Sequence, residues 1–309
     1  MPTGLVRHFA DRELASVRSE HSSTGTGQTG TRDSMVTAAL PFTLQEYYSP
    51  DTPWESSFDQ STGEEYESST RSVPKTYRRG QPVVERWNSG VFGPSFPRYP
   101  GEPAKWASRL GDTAAFDLWL LSDRGEGHYG QAANAESGTT ALYRDGRPIA
   151  GYPWSGRSEF TLPPEEAAYR LHTESTRNGP MDLSTTVSAD WTFRSGHVAG
   201  PGAGPLPLTA VRFAPALDDR NQASGGAGFL VPVYLQHTGG QAAVTEPVVQ
   251  VSYDDGTTWR PAPLLPAGDH WLARLWHPAV GGFVSFKATA ADRNGNTVDQ
   301  TIIRAYRLK

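Results

Sequence analysis

Glycine and proline interrupt this chain too often for helices to dominate it. The 32 Gly and 25 Pro are spread along all 309 residues. Proline removes a backbone donor and clashes with the turn before it, and glycine forfeits backbone entropy, so few intervals are long enough for an ordinary helix. Short strands joined by turns tolerate that punctuation. The nine Trp, twelve Tyr and twelve Phe supply bulky side chains suited to a pleated, half-buried surface. The expected fold class is therefore all-β, and the length accommodates two domains with a core each.

The first 38 residues read differently from the rest. Residues 9–20 (FADRELASVRSE) predict one short helix, while 22–34 is a Ser/Thr/Gly tract with too little apolar surface to offset the entropy of ordering it. The expectation for 1–38 is a flexible, partly disordered arm. From Leu40 onward, short apolar or alternating runs are separated by turn residues, the pattern of a β-sandwich. Runs at 43–48, 83–87, 116–121, 140–144, 159–162, 167–173 and 183–194 predict a first sandwich over 39–200, jelly-roll-like or immunoglobulin-like. Asp145-Gly146 lies between two runs and suits the positive φ angles of a type I′ hairpin turn. The stretch 198–207 (VAGPGAGPLP) reads as a linker with nothing to bury, its boundary near Ala203. Runs at 208–213, 229–236, 248–253, 271–276, 282–290 and 297–306 predict a second sandwich over 206–309, of immunoglobulin or fibronectin III type. Asn294-Gly295 is expected to close its last hairpin.

Charge and composition exclude several roles. A net charge of -5 with no basic run leaves no electrostatic footprint for nucleic acid. The longest apolar stretches fall far short of the roughly 20 residues of a membrane-spanning helix. With no Cys, neither disulfides nor thiolate metal sites can form. Residues 1–18 carry charges throughout, so no export signal is expected there.

Two constellations stand out as candidate ligand contacts. The first is the aromatic loop 87–103 (WNSGVFGPSFPRYPGEP), whose Trp87, Phe92, Phe96 and Tyr99 could stack on a sugar ring or pack into the core. The second is DRGEGHY at 123–129, where Asp123 and His128 share one glycine-rich loop. Other motifs point to structure. Gly25 to Gly30 matches GxGxxG but sits in a polar tract, without the strand and helix that a dinucleotide needs. SYDDGTTW at 252–259 fits a single Asp box, a motif in which an Asp ties down a hairpin turn above a Trp. One copy cannot build a sialidase propeller. The oxygens of Asp292-Arg293-Asn294-Gly295-Asn296 suit calcium, yet the EF-hand spacing and closing Glu are missing, so a plain turn is expected and no cofactor is implied. No GxSxG, HExxH or spaced carboxylate pair nominates a catalytic residue.

Several blocks resemble the C-terminal, non-catalytic region of large secreted subtilisin-like serine proteases of GC-rich bacteria. They are ELASVRSEH at 13–21, VVERWNSGVFGPSFP at 83–97, TTALYRDG at 139–146, AAYRLHTESTRNGPMDLSTTVSADWTFRSGHV at 167–198, LPLTAVRFAPALDDRNQA at 206–223, VQVSYDDGTTW at 249–259 and KATAADRNGNTVDQTIIRAYRL at 287–308. In order along the chain, they cover a little over a third of it. The Asp, His and Ser segments by which subtilases resemble one another catalytically do not occur, so no catalytic residue carries over. The resemblance implies an extracellular accessory region that stabilises, positions or targets a protease domain in cis. The alternative is an independent extracellular β-sandwich module that binds carbohydrate or a cell surface.

Overall fold

A computed structural model of the chain describes residues 13–132, 136–177, 181–239 and 245–309, and every regular element in it is a strand. The all-β expectation holds. The largest sheet has nine strands. In spatial order eight of them are Arg147–Tyr152, Glu136–Arg144, Ala167–Arg177, Thr186–Ser195, Thr297–Leu308, Gly282–Ala291, Val248–Ser252 and Arg260–Pro261. The ninth, Gln222–Ala223, runs parallel to the end of Thr297–Leu308. At its centre Thr186–Ser195 pairs antiparallel with Thr297–Leu308, from Thr186 opposite Ile303 to Thr192 opposite Thr297. Strands from the two halves of the sequence thus share one ladder.

Two four-stranded sheets cover this wall. Over its first half lie Arg157–Thr161, Thr113–Asp117, Ala107–Leu110 and Gly204–Pro205, with the Phe116 and Phe193 rings 6.2 Å apart. Over the second half lie Thr209–Phe213, Gly228–His237, His270–Trp276 and Leu264–Ala267, with Phe213 stacked on Phe286 at 4.4 Å. The period-2 pattern creates the packing. Val187, Ala189, Trp191 and Phe193 alternate inward along one strand, and the Trp191 indole donates to the Thr209 carbonyl of the facing sheet at 2.6 Å.

The stretch 198–207 is not a free linker. Gly204–Pro205 pairs with Ala107–Leu110, and Leu206 and Leu208 are buried in the core cluster common to both halves. Two leucines at the end of a Gly/Pro run were enough to anchor it. Asp145 and Gly146 take φ of 48° and 80°, as a type I′ turn requires. The last hairpin closes more widely: Ala291 pairs with Thr297, and only Gly295 of the Asn-Gly pair has positive φ.

The expected N-terminal arm is corrected. Residues 1–12 lie outside the described residues. From Ala15 the chain is strand, where a helix was expected over 9–20. Ala15–His21 sits between Phe42–Tyr48 (antiparallel) and Val83–Trp87 (parallel). The Ser/Thr/Gly tract contributes Gln28–Arg32, which lies within a five-stranded sheet of order His128–Ala132, Glu65–Ser72, Ser57–Thr62, Gln28–Arg32, Val36–Ala39. Polar side chains share the space between these two sheets with the buried rings of Trp87 and Phe58. Arg32, 1% exposed, donates to Glu46 at 3.2 Å and to the Tyr48 hydroxyl at 3.1 Å, and lies 4.2 Å from the centroid of Trp87. Gln28, Gln60, Thr24, Glu67 and Asn88 form a connected hydrogen-bond network beside it. An apolar-periodicity reading cannot see such a core, because what holds these strands is satisfied polar contact.

Candidate functional site

Of the two candidate constellations, Asp123 and His128 do meet. His128 opens the strand His128–Ala132, Asp123 lies in the loop before it, and the His128 Nδ1 and Asp123 Oδ1 are 2.7 Å apart. Gly125 makes room for the ring: a Cβ there would lie 2.1 Å from Nδ1. The Asp123 carboxylate also accepts from the backbone N–H of Asn88 at 2.7 Å and of Gly125 at 2.9 Å. Burial pushes this carboxyl up, but His128 and the Gly125 N–H outweigh it and hold it below the usual carboxylate range. With the carboxylate as acceptor, Nδ1 carries the proton and donates.

An imidazole oriented by a carboxylate is the beginning of a hydrolase triad, but the surroundings are those of a core. Asp123 is 0% and His128 1% exposed, and the imidazole packs on Trp87 at 3.9 Å between centroids. Its Nε2 is buried with no hydroxyl in hydrogen-bond reach. Arg212, from the strand Thr209–Phe213, closes the site from the other side. Its guanidinium donates to the Asp123 carbonyl and, at 2.9 Å each, to those of Gly93 and Pro94. Burial pulls the Arg212 pKa down to about 10, with Asp123 opposing the fall. The group is a brace that fastens two N-terminal loops to a strand of the second half. Asn221 acts likewise, accepting from the Gly90 N–H at 2.6 Å and donating to the Ser23 and Asn88 carbonyls at 2.9 and 3.0 Å.

The aromatic loop is core as well. Trp87, Phe92 and Phe96 are 0%, 1% and 3% exposed, and Phe96 reaches Trp191 at 5.9 Å. Only Tyr99 is half-exposed, with its hydroxyl donating to Glu55 at 2.6 Å. Three of these four rings therefore have no face to offer a ligand, which corrects their reading as contact residues. The Asp box holds its hairpin as expected. Asp254 accepts from the Thr258 hydroxyl and N–H at 2.6 and 2.8 Å and from the Ser252 hydroxyl at 2.7 Å, which bring its pKa down to about 2. The Asp292 carboxylate is occupied by its own turn, accepting from the Asn294 and Asn296 N–H groups and the Asn296 amide at 2.7 to 2.9 Å.

Several open clefts escaped the sequence reading, and two of them are flanked by exposed tryptophans next to sequence features already described. One, of about 850 Å³, lies on the outer face of the sheet containing Thr113–Asp117, with Trp154 and Tyr152 along one side. The other, of about 450 Å³, lies beside the Asp box, where Tyr253 and the exposed Trp276 flank the buried His277. The available signal for the first was Tyr152-Pro153-Trp154-Ser155-Gly156, which sets two large rings at the end of the strand Arg147–Tyr152, just where Pro and Gly turn the chain.

No family model matches the chain, and no curated protein matches it. Among solved structures it is similar, at 8% identity and a TM-score of 0.20, to Escherichia coli alpha-2-macroglobulin activated by porcine elastase, over 96% of this chain and 28% of that one. It is also similar, at 8% identity and a TM-score of 0.21, to the three N-terminal domains of the bacteriophage RB49 highly immunogenic outer capsid protein (Hoc), over 96% and 97% of the two chains. The chain thus spans a little over a quarter of the macroglobulin. Scores this low carry no argument about function.

Proposed function

We propose that this chain is a non-catalytic accessory region of an extracellular protein, one that stabilises, positions or targets a subtilisin-like protease domain not contained in it. The sequence blocks that resemble subtilase tails motivate the reading. The observation that carries it is the sealing of the Asp123–His128 pair. The one acid–base pair anticipated from the sequence is enclosed by Trp87 and Arg212 and spent on joining loops, where no substrate reaches it. Among the described residues no helix is long and apolar enough to cross a membrane.

The test is a casein digestion with the purified chain. No cleavage is expected beyond that of a mock preparation from cells lacking the gene. Cleavage that co-purifies with the chain and disappears with a serine-directed phosphonate would overturn the proposal.

A further inference from the structure

We propose that the 850 Å³ cleft over Ser108 and Ala115 binds an uncharged oligosaccharide chain. Its floor is the outward side of three paired strands, where Glu159, Ala115 and Ser108 stand opposite one another across the sheet. The small side chains in the middle leave a trough. One wall is the turn at 102–105, and the other is made by Tyr152 and Trp154. The volume falls within the range of roughly 300–1,000 Å³ typical of ligand clefts.

The aromatic wall is held ready for contact. The Trp154 indole N–H donates to the Arg157 carbonyl at 2.9 Å, and the Tyr152 hydroxyl donates to the Glu159 carbonyl at 2.6 Å. Tyr152 lies 4.7 Å from the Trp154 ring and 5.4 Å from Phe160 of the core. Trp154 nevertheless remains 49% exposed. A large ring fixed by its polar edge while half of its surface meets water loses little further entropy on stacking, so the cost of ordering it was met on folding.

Charge and backbone select the ligand class. The two cations of the cleft are engaged, Lys105 with Glu102 at 3.2 Å and Arg157 with Asp117 at 3.6 Å, while Glu159 makes no ion pair among the described residues. The surplus is negative, which disfavours polyanions. An extended peptide is disfavoured too, because the central floor strand Thr113–Asp117 is paired on both sides, and the edge strand Arg157–Thr161 has its Arg157 and Glu159 carbonyls already taken by the Trp154 indole and the Tyr152 hydroxyl. Carboxylates and a serine hydroxyl facing a flat aromatic wall suit a pyranose, which stacks its C–H face on the indole and donates its hydroxyls to the carboxylates. This reading stands independently of any attached protease domain.

The test is electrophoresis of the full chain in native gels containing hydroxyethylcellulose, galactomannan, laminarin or soluble starch, with polygalacturonate as the anionic control. At least one neutral polymer is expected to retard the chain. Trp154→Ala and Ala115→Arg should each weaken that retardation about tenfold or more, roughly the loss of one stacked ring, while Trp276→Ala, an exposed tryptophan elsewhere, leaves it unchanged. Should Trp154→Ala fail to fold, Ala115→Arg decides. The proposal is overturned if none of the four neutral polymers retards the chain, if a folded cleft variant is retarded like the original, or if polygalacturonate alone binds.

Discussion

His21 and His277 are bases enclosed where their charged forms are poorly tolerated. Desolvation first and the Arg32 charge second bring His21 down to about 3, and burial brings His277 to about 4. Backbone groups of Phe42 and Ser19 lie near enough to His21 to oppose this, but neither ring nitrogen has a well-formed hydrogen bond, and the ring is stacked on Phe42 at 4.2 Å. In the unfolded chain both histidines titrate at ~6.5. Below that value the unfolded state takes up protons that the folded state refuses, so stability falls as the pH drops from there toward 4. Asp123 and Glu85, both held low, add acid lability of their own: their contribution is present above the unfolded carboxylate pKa and lost as pH falls through the folded one. His172, raised by its bond to Asp190, acts in the opposite sense and is part-exposed, hence weaker. Urea unfolding is expected to show a loss of about 1–2 kcal/mol for each of His21 and His277 between pH 7 and pH 5. His21→Phe, which keeps the stacked ring without a titrating group, should flatten that dependence; an unchanged slope would show that His21 is not a source of it.

At the scale of elements, what the sequence revealed depended on what buries each strand. Runs with apolar alternation, such as Val83–Trp87, Ala167–Arg177 and Gly282–Ala291, appeared within a few residues of their true limits. The strands Gln28–Arg32, Ser57–Thr62 and Glu65–Ser72 did not, because, apart from Gly30 and Phe58, polar residues (Ser, Thr, Gln, Glu and Arg32) occupy their buried positions and bond to one another. Gly30 shows the same difficulty in one residue. In the sequence it belongs to a flexible-looking tract, whereas in the fold the Phe58 ring lies directly over it, 2.5 Å from where a Cβ would be. Gly30→Ala is therefore expected to destabilise the chain by about 1–3 kcal/mol through overpacking, measured by chemical denaturation; a neutral result would mean that Phe58 moves aside freely. The candidate site was half legible for a related reason. Adjacency in sequence brought Asp123 and His128 together, but burial of the loop depends on Arg212 and Trp87, which no local pattern connects to it.

For the molecule as a whole, the shared ladder between Thr186–Ser195 and Thr297–Leu308, with the Arg212 and Asn221 bridges, ties the two sequence halves into one cooperating structure. The chains 1–203 and 204–309 made separately are expected to lack the near-ultraviolet dichroism of the intact protein, and the intact protein to unfold in one transition. Two resolved transitions, with each half folding alone, would contradict this. The placing of the first and last described strands bears on mechanics too. Ala15–His21 and Thr297–Leu308 each lie inside a sheet with neighbours on both sides. Tension applied through either strand must break two ladders together and cannot peel one rung at a time from an edge. A load entering through either strand therefore meets backbone that is hydrogen-bonded on both sides.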